Sequence, residues 1–371
     1  SALSKLPAEL KEYGPNVLLV YGKASIKKIG LYDQVMQILH EAGKKVVELA
    51  GINANPRYTQ LLAGAQLVRE HNIDLILAVG GGSVIDCAKG IACAAYAEGD
   101  VWQRYYVNQE PVTNRVVPVG SILTMAGTGS EMNSGSVITN EAENLKIGRV
   151  YPLAMVTPRF SILNPEYTYS VPKYQMISGI FDVFSHLMEQ YFSGDDDCTS
   201  DYLLEGLMLS LISASRKALI NPEDYEARSN IMWCATMGLN KILAVSKTQD
   251  WEVHMIEHQL GAYTDCAHGI GLAIISPAYY RHIFRDGLHK FVRYAKHIWG
   301  VEDHGQGDEA IAQEGINRLE AFIHELGIPA TLREVGATEE MLPLIANSTA
   351  LGGGYKQLTQ EDVLTILKNC F

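Results

Sequence analysis

The sequence lacks a hydrophobic run long enough to cross a membrane, and it lacks an excess of positive charge. No apolar stretch reaches the roughly 18–20 residues that span a bilayer. The 42 acidic and 30 basic side chains give a formal net charge of −12, which opposes nonspecific binding to nucleic acid or anionic lipid. We therefore expect no nucleic-acid or membrane partner. No signal peptide is visible after Ser1, so we expect a cytoplasmic protein.

Closely spaced cysteine pairs and several common catalytic motifs are also missing. The six cysteines are scattered and form no CxxC motif, which is typical of reduced thiols in a cytosolic enzyme. The HExxH motif of zinc hydrolases is absent, and no GKS or GKT completes a Walker loop. These absences disfavour a disulfide-stapled secreted protein and a metal hydrolase.

Length and composition indicate a folded chain with more than one core. Hydrophobic residues make up 47% and charged residues 19% of the 371 residues, as in globular rather than disordered proteins. A single core rarely grows beyond about 250–300 residues, so we expect two domains. We place them at residues 1–165 and 166–371.

The first domain alternates between strand and helix patterns. Short apolar runs predict strands at residues 16–21, 45–49, 74–79 and 115–122, and amphipathic patterns predict helices at 32–42 and 59–71. Continuous apolar strands separated by helices are typical of a parallel sheet that is covered on both faces. We therefore predict an α/β domain.

From residue 173 onward, strand signals nearly disappear. Helical patterns occupy residues 174–191, 202–218, 225–243, 251–262, 289–299 and 308–326, and a closing helix at 361–370 would be capped by Thr359. The second domain is therefore predicted to be all-α.

Two glycine-rich loops follow predicted strands of the first domain. The first is GGGSVID at residues 80–86, where glycines would let the backbone approach a pyrophosphate at a helix N-terminus. The second is LTMAGTGSEMN at residues 123–133. Ligands of open α/β sheets bind at the carboxyl ends of the strands, where both loops lie. Each loop alone is only a modest signal, since an ordinary tight turn that binds nothing is the alternative, but together they favour a nucleotide site.

Carboxylate and imidazole side chains are spaced like metal ligands in the second domain. Asp182 and His186 are four residues apart on a predicted helix, as are His254 and His258, and His268 follows after a loop. Residues four apart share one helix face. One carboxylate and three imidazoles suit Fe²⁺ or Zn²⁺. A single histidine of this kind is more often a buried structural residue, so the prediction depends on the group.

The chain resembles the iron-containing (group III) alcohol dehydrogenase family, in particular its butanol dehydrogenase and NADPH-dependent aldehyde reductase branch. The resemblance covers nearly the whole chain and rests on GGGSVIDCAK, LTMAGTGSEMNSGSVIT, LNPEYTYSVP, FDVFSHLMEQY, QDWEVHMIEH and the His268 segment. It implies a Rossmann-like domain followed by an α-helical domain, with cofactor and metal meeting in the cleft between them. It also implies a homodimer.

The resemblance also implies roles for individual residues. The metal ligands would be Asp182, His186, His254 and His268, and His258 would be a candidate proton relay. The implied cofactor contacts are Gly81, Gly82, Ser83, Asp86, Thr124, Thr128, Asn133, Lys146 and, near the nicotinamide end, Tyr167. In the loop after the first strand we also expect cofactor contacts at Gly22, Lys23 and Ser25.

Two departures from the family pattern bear on these expectations. Relatives carry a short strand-forming stretch before SALSKLPAEL, so we expect one edge strand or dimer contact to be missing from this sequence. The loop after the first strand reads YGKASIKK, with no acidic residue to bind a ribose hydroxyl. Lys23 and Ser25 could instead bind a 2′-phosphate, which favours NADP over NAD.

The mechanism that the resemblance implies is hydride transfer from NADPH to a small aldehyde, or from a small alcohol to NADP⁺, with the substrate oxygen held by the metal. One alternative is a glycerol dehydrogenase or dehydroquinate synthase-like enzyme of the same fold. A synthase would need a basic pocket, whereas the helix around Trp251, Met255 and Ile256 looks apolar. A second alternative is a nucleotide-binding protein without catalytic activity, which the complete ligand set disfavours.

Overall fold

The structure, a computed structural model, describes residues 2–371. The chain forms two compact units that divide between Val171 and Pro172, whereas the predicted boundary lay after residue 165. Among the described residues, no helix combines the length and apolar character needed to cross a bilayer.

The first unit is built on a parallel sheet. Its strands are β1 Asn16–Tyr21, β2 Lys45–Leu49, β3 Leu75–Gly80, β4 Val119–Leu123, β5 Gly135–Asn140, β6 Leu145–Val150 and β7 Ser161–Leu163. Its α-helices are α1 Leu6–Glu9, α2 Ser25–Lys28, α3 Leu31–Glu41, α4 Tyr58–Glu70, α5 Gly82–Ala94 and α6 Leu153–Val156, and a π-helical segment runs over Trp102–Val107.

Strand order in the parallel sheet is β2-β1-β3-β4-β7. The central strand β3 is buried along its whole length, because helices cover both faces of the sheet, and its apolar run LILAV suits that position. On one face, α3 packs its Leu31, Val35 and Leu39 against β1 and β3. The predicted α/β class is confirmed.

Three features of this unit differ from the sequence prediction. The strand expected at residues 115–122 is the shorter β4, and the antiparallel pair β5–β6 was not predicted. The sequences GSVITN and LKIGRV mix polar and small residues, so they carry only a weak strand signal. The short strand β7 was also missed.

The second unit is helical, as predicted. Its helices are α7 Lys173–Tyr191, α8 Thr199–Ile220, α9 Tyr225–Gly238, α10 Glu252–Thr264, α11 His268–Ile283, α12 Leu288–Trp299, α13 Asp308–Leu326, α14 Met341–Ser348 and α15 Gln360–Asn369. Helix α7 is buried from Met176 to Tyr191, which is the pattern of a helix surrounded by others. Thr359 caps α15, with its hydroxyl accepting from the Asp362 N–H.

Three helices of this unit differ from the prediction: α14 was not predicted at all, and α9 and α11 were predicted inaccurately. Helix α9 ends at Gly238 instead of residue 243, and Lys241 then adopts a left-handed conformation at φ 72°. The apolar spacing continues through Leu243, so periodicity alone could not locate this end. Helix α11 was read only as an apolar segment, since it contains Pro277 and few polar residues to mark a face.

Candidate metal centre and nucleotide loops

Helix α7 supplies the centre of the candidate metal site. Asp182 and His186 lie one turn apart on it, and both are almost fully buried. Asp182 Oδ1 lies 3.3 Å from His186 Nε2. The i, i+4 spacing therefore brings a carboxylate oxygen and an imidazole nitrogen together, as predicted.

Helices α10 and α11 bring two further imidazoles to the same oxygen. His254 Nε2 lies 3.8 Å and His268 Nε2 lies 3.6 Å from Asp182 Oδ1. The candidate ligand atoms of Asp182, His254 and His268 all lie within 4.8 Å of one another. His186 is near the same carboxylate oxygen but lies outside that mutually close group. Three helices thus converge on Asp182 Oδ1.

The buried polar atoms at this point fit a cation. Asp182 Oδ1 and His254 Nε2 are buried and, within residues 2–371, neither has a hydrogen-bond partner. Leaving such an atom unpaired costs about 1–3 kcal/mol. One divalent ion would satisfy both atoms, and a mixed oxygen and nitrogen donor set suits Fe²⁺ or Zn²⁺.

Carboxylates behind two of the imidazoles fix their orientation. His254 Nδ1 lies 2.5 Å from Glu189 Oε1, and His268 Nδ1 bonds to Glu257 Oε2. A carboxylate at Nδ1 holds a proton there, so Nε2 is the nitrogen that can bind a metal ion once it has lost its own proton. Glu189 and Glu257 are therefore part of the site.

The sequence analysis missed both glutamates, although a signal for them existed. Glu189 follows His186 by three residues on α7, and Glu257 follows His254 by three residues on α10. That spacing keeps each acid on or near the ligand face of its helix. Each acid nevertheless supports a histidine of another element, which spacing within one helix does not show.

Electrostatics around Asp182 favour a bound cation. Burial raises the pKa of Asp182, but the imidazoles of His186 and His268 outweigh it and hold that pKa well below its usual range. Burial lowers the pKa of His186 to about 3. Burial also lowers the pKa of His254, but Glu189 and Asp182 more than offset it and raise it to about 10. The site is therefore negatively charged, and it favours the binding of one positive charge.

The contact between α7 and α11 depends on a glycine beside His268. A Cβ atom on Gly269 would lie 1.8 Å from the Ser178 carbonyl oxygen and 3.1 Å from the Asp182 backbone nitrogen. The Gly269 N–H also donates to Ser178 Oγ at 3.2 Å. Only glycine permits this approach, which sets the distance between His268 and Asp182.

His258, the predicted proton relay, lies beside the metal ligands. Its ring centroid is 5.7 Å from that of His268 and 6.2 Å from that of His254. Ligand atoms of Glu257, His258 and His268 also lie within 4.8 Å of one another. Of the apolar residues that we expected on α10, Ile256 is fully buried, whereas Trp251 and Met255 are partly exposed.

The two glycine-rich loops of the first unit contact each other. Loop 80–86 runs from the end of β3 into α5, and loop 123–133 follows β4, its neighbour in the sheet. A Cβ atom on Gly82 would lie 2.2 Å from Thr128 Oγ1, and one on Gly81 would lie 3.1 Å from Met125 Cβ. The glycines therefore leave space that the second loop fills.

Several predicted cofactor residues already have partners within the protein. The Ser83 hydroxyl donates to the Ala54 carbonyl. Asp86 is buried and accepts from Ser130 Oγ at 2.5 Å and from Val137 N at 2.9 Å. These contacts indicate a supporting position for Asp86.

The remaining predicted cofactor residues lie in different surroundings. Thr124, Asn133 and Lys146 are buried, and Tyr167 packs against the core cluster of the sheet. After β1, Gly22 is half-buried, whereas Lys23 and Ser25 are exposed.

An acid that the sequence analysis did not consider lies on the neighbouring strand. Glu48 of β2 accepts hydrogen bonds from Tyr21 at 2.6 Å and from Tyr32 at 3.0 Å. The Lys27 ammonium lies 4.5 Å from the Tyr32 ring centroid. Cationic and acidic side chains therefore both lie near the end of β1.

Two family models match consecutive parts of the chain. A family model described as iron-containing alcohol dehydrogenase matches residues 1–165. A second model, described as the C-terminal part of the Fe-containing alcohol dehydrogenase family, matches residues 176–371. Together they cover almost the whole chain.

Individual relatives match over most of their length. NADH-dependent butanol dehydrogenase A of Clostridium acetobutylicum is 41% identical, over 98% of this chain and 94% of that protein. The NADPH-dependent aldehyde reductase YqhD of Escherichia coli is 38% identical, over 91% of this chain and 87% of that protein. The crystal structure of NADH-dependent butanol dehydrogenase A from Thermotoga maritima matches with a TM-score of 0.94 and 35% identity, over 100% of this chain and 95% of that chain.

Proposed function

Because this chain belongs to the iron-containing alcohol dehydrogenase family, we propose that it interconverts primary alcohols and aldehydes, with aldehyde reduction favoured. The family uses NAD(P)H and a divalent metal ion. In this chain the proposed metal ligands are Asp182, His186, His254 and His268, and the ion is Fe²⁺ or Zn²⁺. One observation carries the proposal: three imidazole Nε2 atoms lie within 3.8 Å of a single buried carboxylate oxygen.

The residues around this oxygen have separable roles. When bound, the metal would polarise the substrate oxygen, and the reduced nicotinamide would supply hydride to the carbonyl carbon. Glu189 and Glu257 orient His254 and His268 by holding the Nδ1 protons. The protein thus fixes the site before substrate arrives, which avoids reorganisation during the reaction.

Aldehyde reduction also requires a proton at the substrate oxygen. We infer that His258 relays it, directly or through water, because its ring lies beside two proposed ligands. His258→Gln should lower kcat about 100-fold and change the pH profile, while the metal content stays at the wild-type level. A matched control is His282→Gln on α11, outside the site, which should leave kcat unchanged. Equal kcat values in His258→Gln and wild type would contradict this role.

We further propose that NADP is preferred over NAD. Support comes from Lys23 and Ser25, which are exposed directly after β1 and could bind a 2′-phosphate. Lys23→Glu should lower the NADPH-to-NADH ratio of kcat/KM about tenfold. Lys368→Glu, the same charge change on an exposed lysine of α15, should leave that ratio unchanged. A strong NADH preference in the wild type would overturn the proposal.

The substrate class can be tested directly. Trp251 and Met255 are the partly exposed apolar residues at the start of α10, which supports short and medium aliphatic aldehydes over acidic substrates. A panel from ethanal to octanal, assayed with NADPH and NADH on protein of measured metal content, should show metal-proportional cofactor oxidation. Absence of turnover with every aldehyde in metal-loaded protein would contradict the proposed activity.

We also propose a homodimer, as the family resemblance implies. Sedimentation velocity should then give a species of twice the 40.8 kDa chain mass at micromolar concentration. A single species at the chain mass would contradict it. This proposal is independent of the metal and cofactor assignments.

A further inference from the structure

A buried lysine on α5, which the proposed chemistry does not use, bonds this helix to the second glycine-rich loop of the first unit. Lys89 has no exposed surface. Its ammonium donates to Ser130 Oγ at 2.7 Å, Asn133 Oδ1 at 3.1 Å and the Gly135 carbonyl at 3.0 Å. A lysine ammonium has three donors, so these acceptors satisfy it completely. All three belong to the second loop or to the strand that follows it.

Burial of the charged Lys89 side chain costs free energy. Burial lowers its pKa to about 8, against the opposing effect of Asp86 and Glu131. A buried charge pair adds little stability over apolar residues of the same volume. If the contact between α5 and the loop were only structural, a methionine or leucine would therefore provide it at a lower cost in free energy.

Asp86 bonds to the same segment of the chain as Lys89, from the same face of α5. It lies three residues before Lys89 on α5, so the two side chains are neighbours. Asp86 Oδ1 accepts from Ser130 Oγ at 2.5 Å, and Oδ2 accepts from Val137 N at 2.9 Å. Ser130 is thereby fixed as donor to Asp86 and acceptor from Lys89, so its hydroxyl has one orientation.

These contacts continue to Thr128, which borders the pyrophosphate loop. Asn133 accepts from Lys89 and donates through Nδ2 to the Thr128 carbonyl at 3.2 Å. The Ser130 N–H donates to Thr128 Oγ1 at 3.1 Å. Thr128 Oγ1 in turn occupies the space beside Gly82 that a Cβ atom would fill. A path of short contacts therefore runs from Lys89 to the surface of the first loop.

We propose that Lys89 is a positioning residue for the nicotinamide cofactor: its charge holds loop 128–133 in the conformation that places Thr128 and Asn133 against the pyrophosphate loop. The inference rests on the proposed function, since it takes those two residues as cofactor contacts. Lys89 acts through those residues, because its side chain is fully buried and its ammonium is bonded within the protein. Its removal should weaken cofactor binding and leave the chemical step intact.

The direct test is cofactor affinity in Lys89→Met, which has a side chain of similar length without the charge. Titration with NADPH and NADH, followed by nicotinamide fluorescence, measures Kd without turnover. We expect Kd to rise about tenfold or more, since a displaced loop misplaces one or two hydrogen-bonding groups. In steady-state assays KM for the cofactor should rise similarly, with kcat at saturation within about twofold of wild type. Amide exchange at residues 128–133 should accelerate.

Two further variants separate positioning from stability. Lys290→Met removes another fully buried lysine, in the second unit, bonded to Asp201, and should lower the unfolding temperature without changing the cofactor Kd. If Lys89→Met does not fold, Ser130→Ala removes one link of the path and should raise Kd by a smaller factor. A folded Lys89→Met or Ser130→Ala variant with wild-type Kd overturns the inference. A wild-type protein that binds neither cofactor contradicts the proposed function instead.

Discussion

At the scale of single residues, the decisive feature is the proton on the far side of each imidazole. A histidine can bind a metal through Nε2 only when Nδ1 carries the proton. Glu189 and Glu257 accept at Nδ1 of His254 and His268. The proposed ligand set is therefore four residues, and the two acids orient two of them, His254 and His268.

Glu189→Gln tests this support. The amide keeps the shape of the side chain but accepts the Nδ1 proton more weakly, so metal affinity should fall about 10- to 100-fold. The measurement is competition against a chelator of known affinity, with bound metal determined by mass spectrometry. Glu205→Gln is the matched control, because Glu205 is a buried carboxylate paired with Arg293 outside the site. The control should lose thermal stability and keep its metal, and equal losses in both variants would contradict the role of Glu189.

A site residue could be predicted when its partner lies close to it in the sequence, and it could not be predicted when the partner is distant. Asp182 and His186 meet because they lie one turn apart on one helix, which spacing alone indicates. Glu189 meets His254 across 65 residues, and no local pattern encodes that contact. The sequence therefore could not distinguish a proposed metal ligand from a carboxylate that orients it.

At the scale of elements, the site depends on how closely helices α7 and α11 approach. Gly269→Ala would place a methyl group 1.8 Å from the Ser178 carbonyl oxygen, and relief requires moving one helix backbone. We expect a loss of about 1–3 kcal/mol or more of stability and a lower metal content, since His268 moves away from Asp182. Thermal unfolding together with metal analysis tests this.

The control for Gly269→Ala is Gly206→Ala on α8, where an added Cβ meets nothing within 4 Å. Alanine inside a helix stabilises it by about 0.5–1 kcal/mol relative to glycine. Gly206→Ala should therefore unfold at the same or a higher temperature and retain its metal. Wild-type metal content in Gly269→Ala would show that the close approach does not set the site.

Asp250, in the segment before α10, should make the stability of the protein depend on pH. Burial raises the pKa of Asp250 to about 6, opposed by the hydrogen bond from Tyr279 and assisted by Glu189. An acid with a raised folded pKa binds its proton more tightly in the folded state, so its contribution is present at low pH and is lost as pH rises from about 4 to 6. The contribution of Asp250 to the stability of the wild type should therefore fall over that range.

Asp250→Asn isolates this contribution, because it removes the ionisation and keeps an acceptor for Tyr279. The unfolding temperature of Asp250→Asn minus that of wild type should increase by about 2–6 °C between pH 4 and pH 7, at equal metal content. Glu252, whose pKa burial raises to about 7, leaves some slope in both proteins. Parallel curves would contradict the assignment to Asp250.

Elements were predicted well where their pattern was strong. The strands NVLLVY and KVVEL match β1 and β2 to the residue, because each is short and rich in β-branched or aliphatic residues. The hairpin β5–β6 and helix α11 were missed for opposite reasons. The hairpin is too polar to show a buried face, and α11 is too uniformly apolar to show a period.

At the scale of the whole molecule, the candidate cofactor residues and the candidate metal ligands are divided between the two units. The glycine-rich loops lie in the first unit, and the proposed metal ligands lie in the second. The α/β followed by all-α organisation was predictable from the change in periodicity near residue 172. The convergence of three helices on one oxygen depends on tertiary packing, which the sequence indicates only through its resemblance to a family.

A metal that binds only the folded chain should also stabilise it. With free metal at about 100 times its dissociation constant, the gain is about 2.7 kcal/mol, and it disappears when a chelator is added. The expected drop in unfolding temperature is about 5–10 °C for a unit of this size. Asp182→Asn should show no such drop, because its site is already disabled. Identical chelator responses in the two proteins would place the metal elsewhere.

The most direct test of the account is reconstitution. Wild-type protein is stripped of metal, then titrated anaerobically with Fe²⁺ and separately with Zn²⁺, while bound metal and butanal reduction by NADPH are measured on the same samples. The account predicts that activity returns in proportion to bound metal, reaches its maximum at one ion per chain, and does not return in Asp182→Asn. Full activity in metal-free protein, or full recovery in Asp182→Asn, would contradict it.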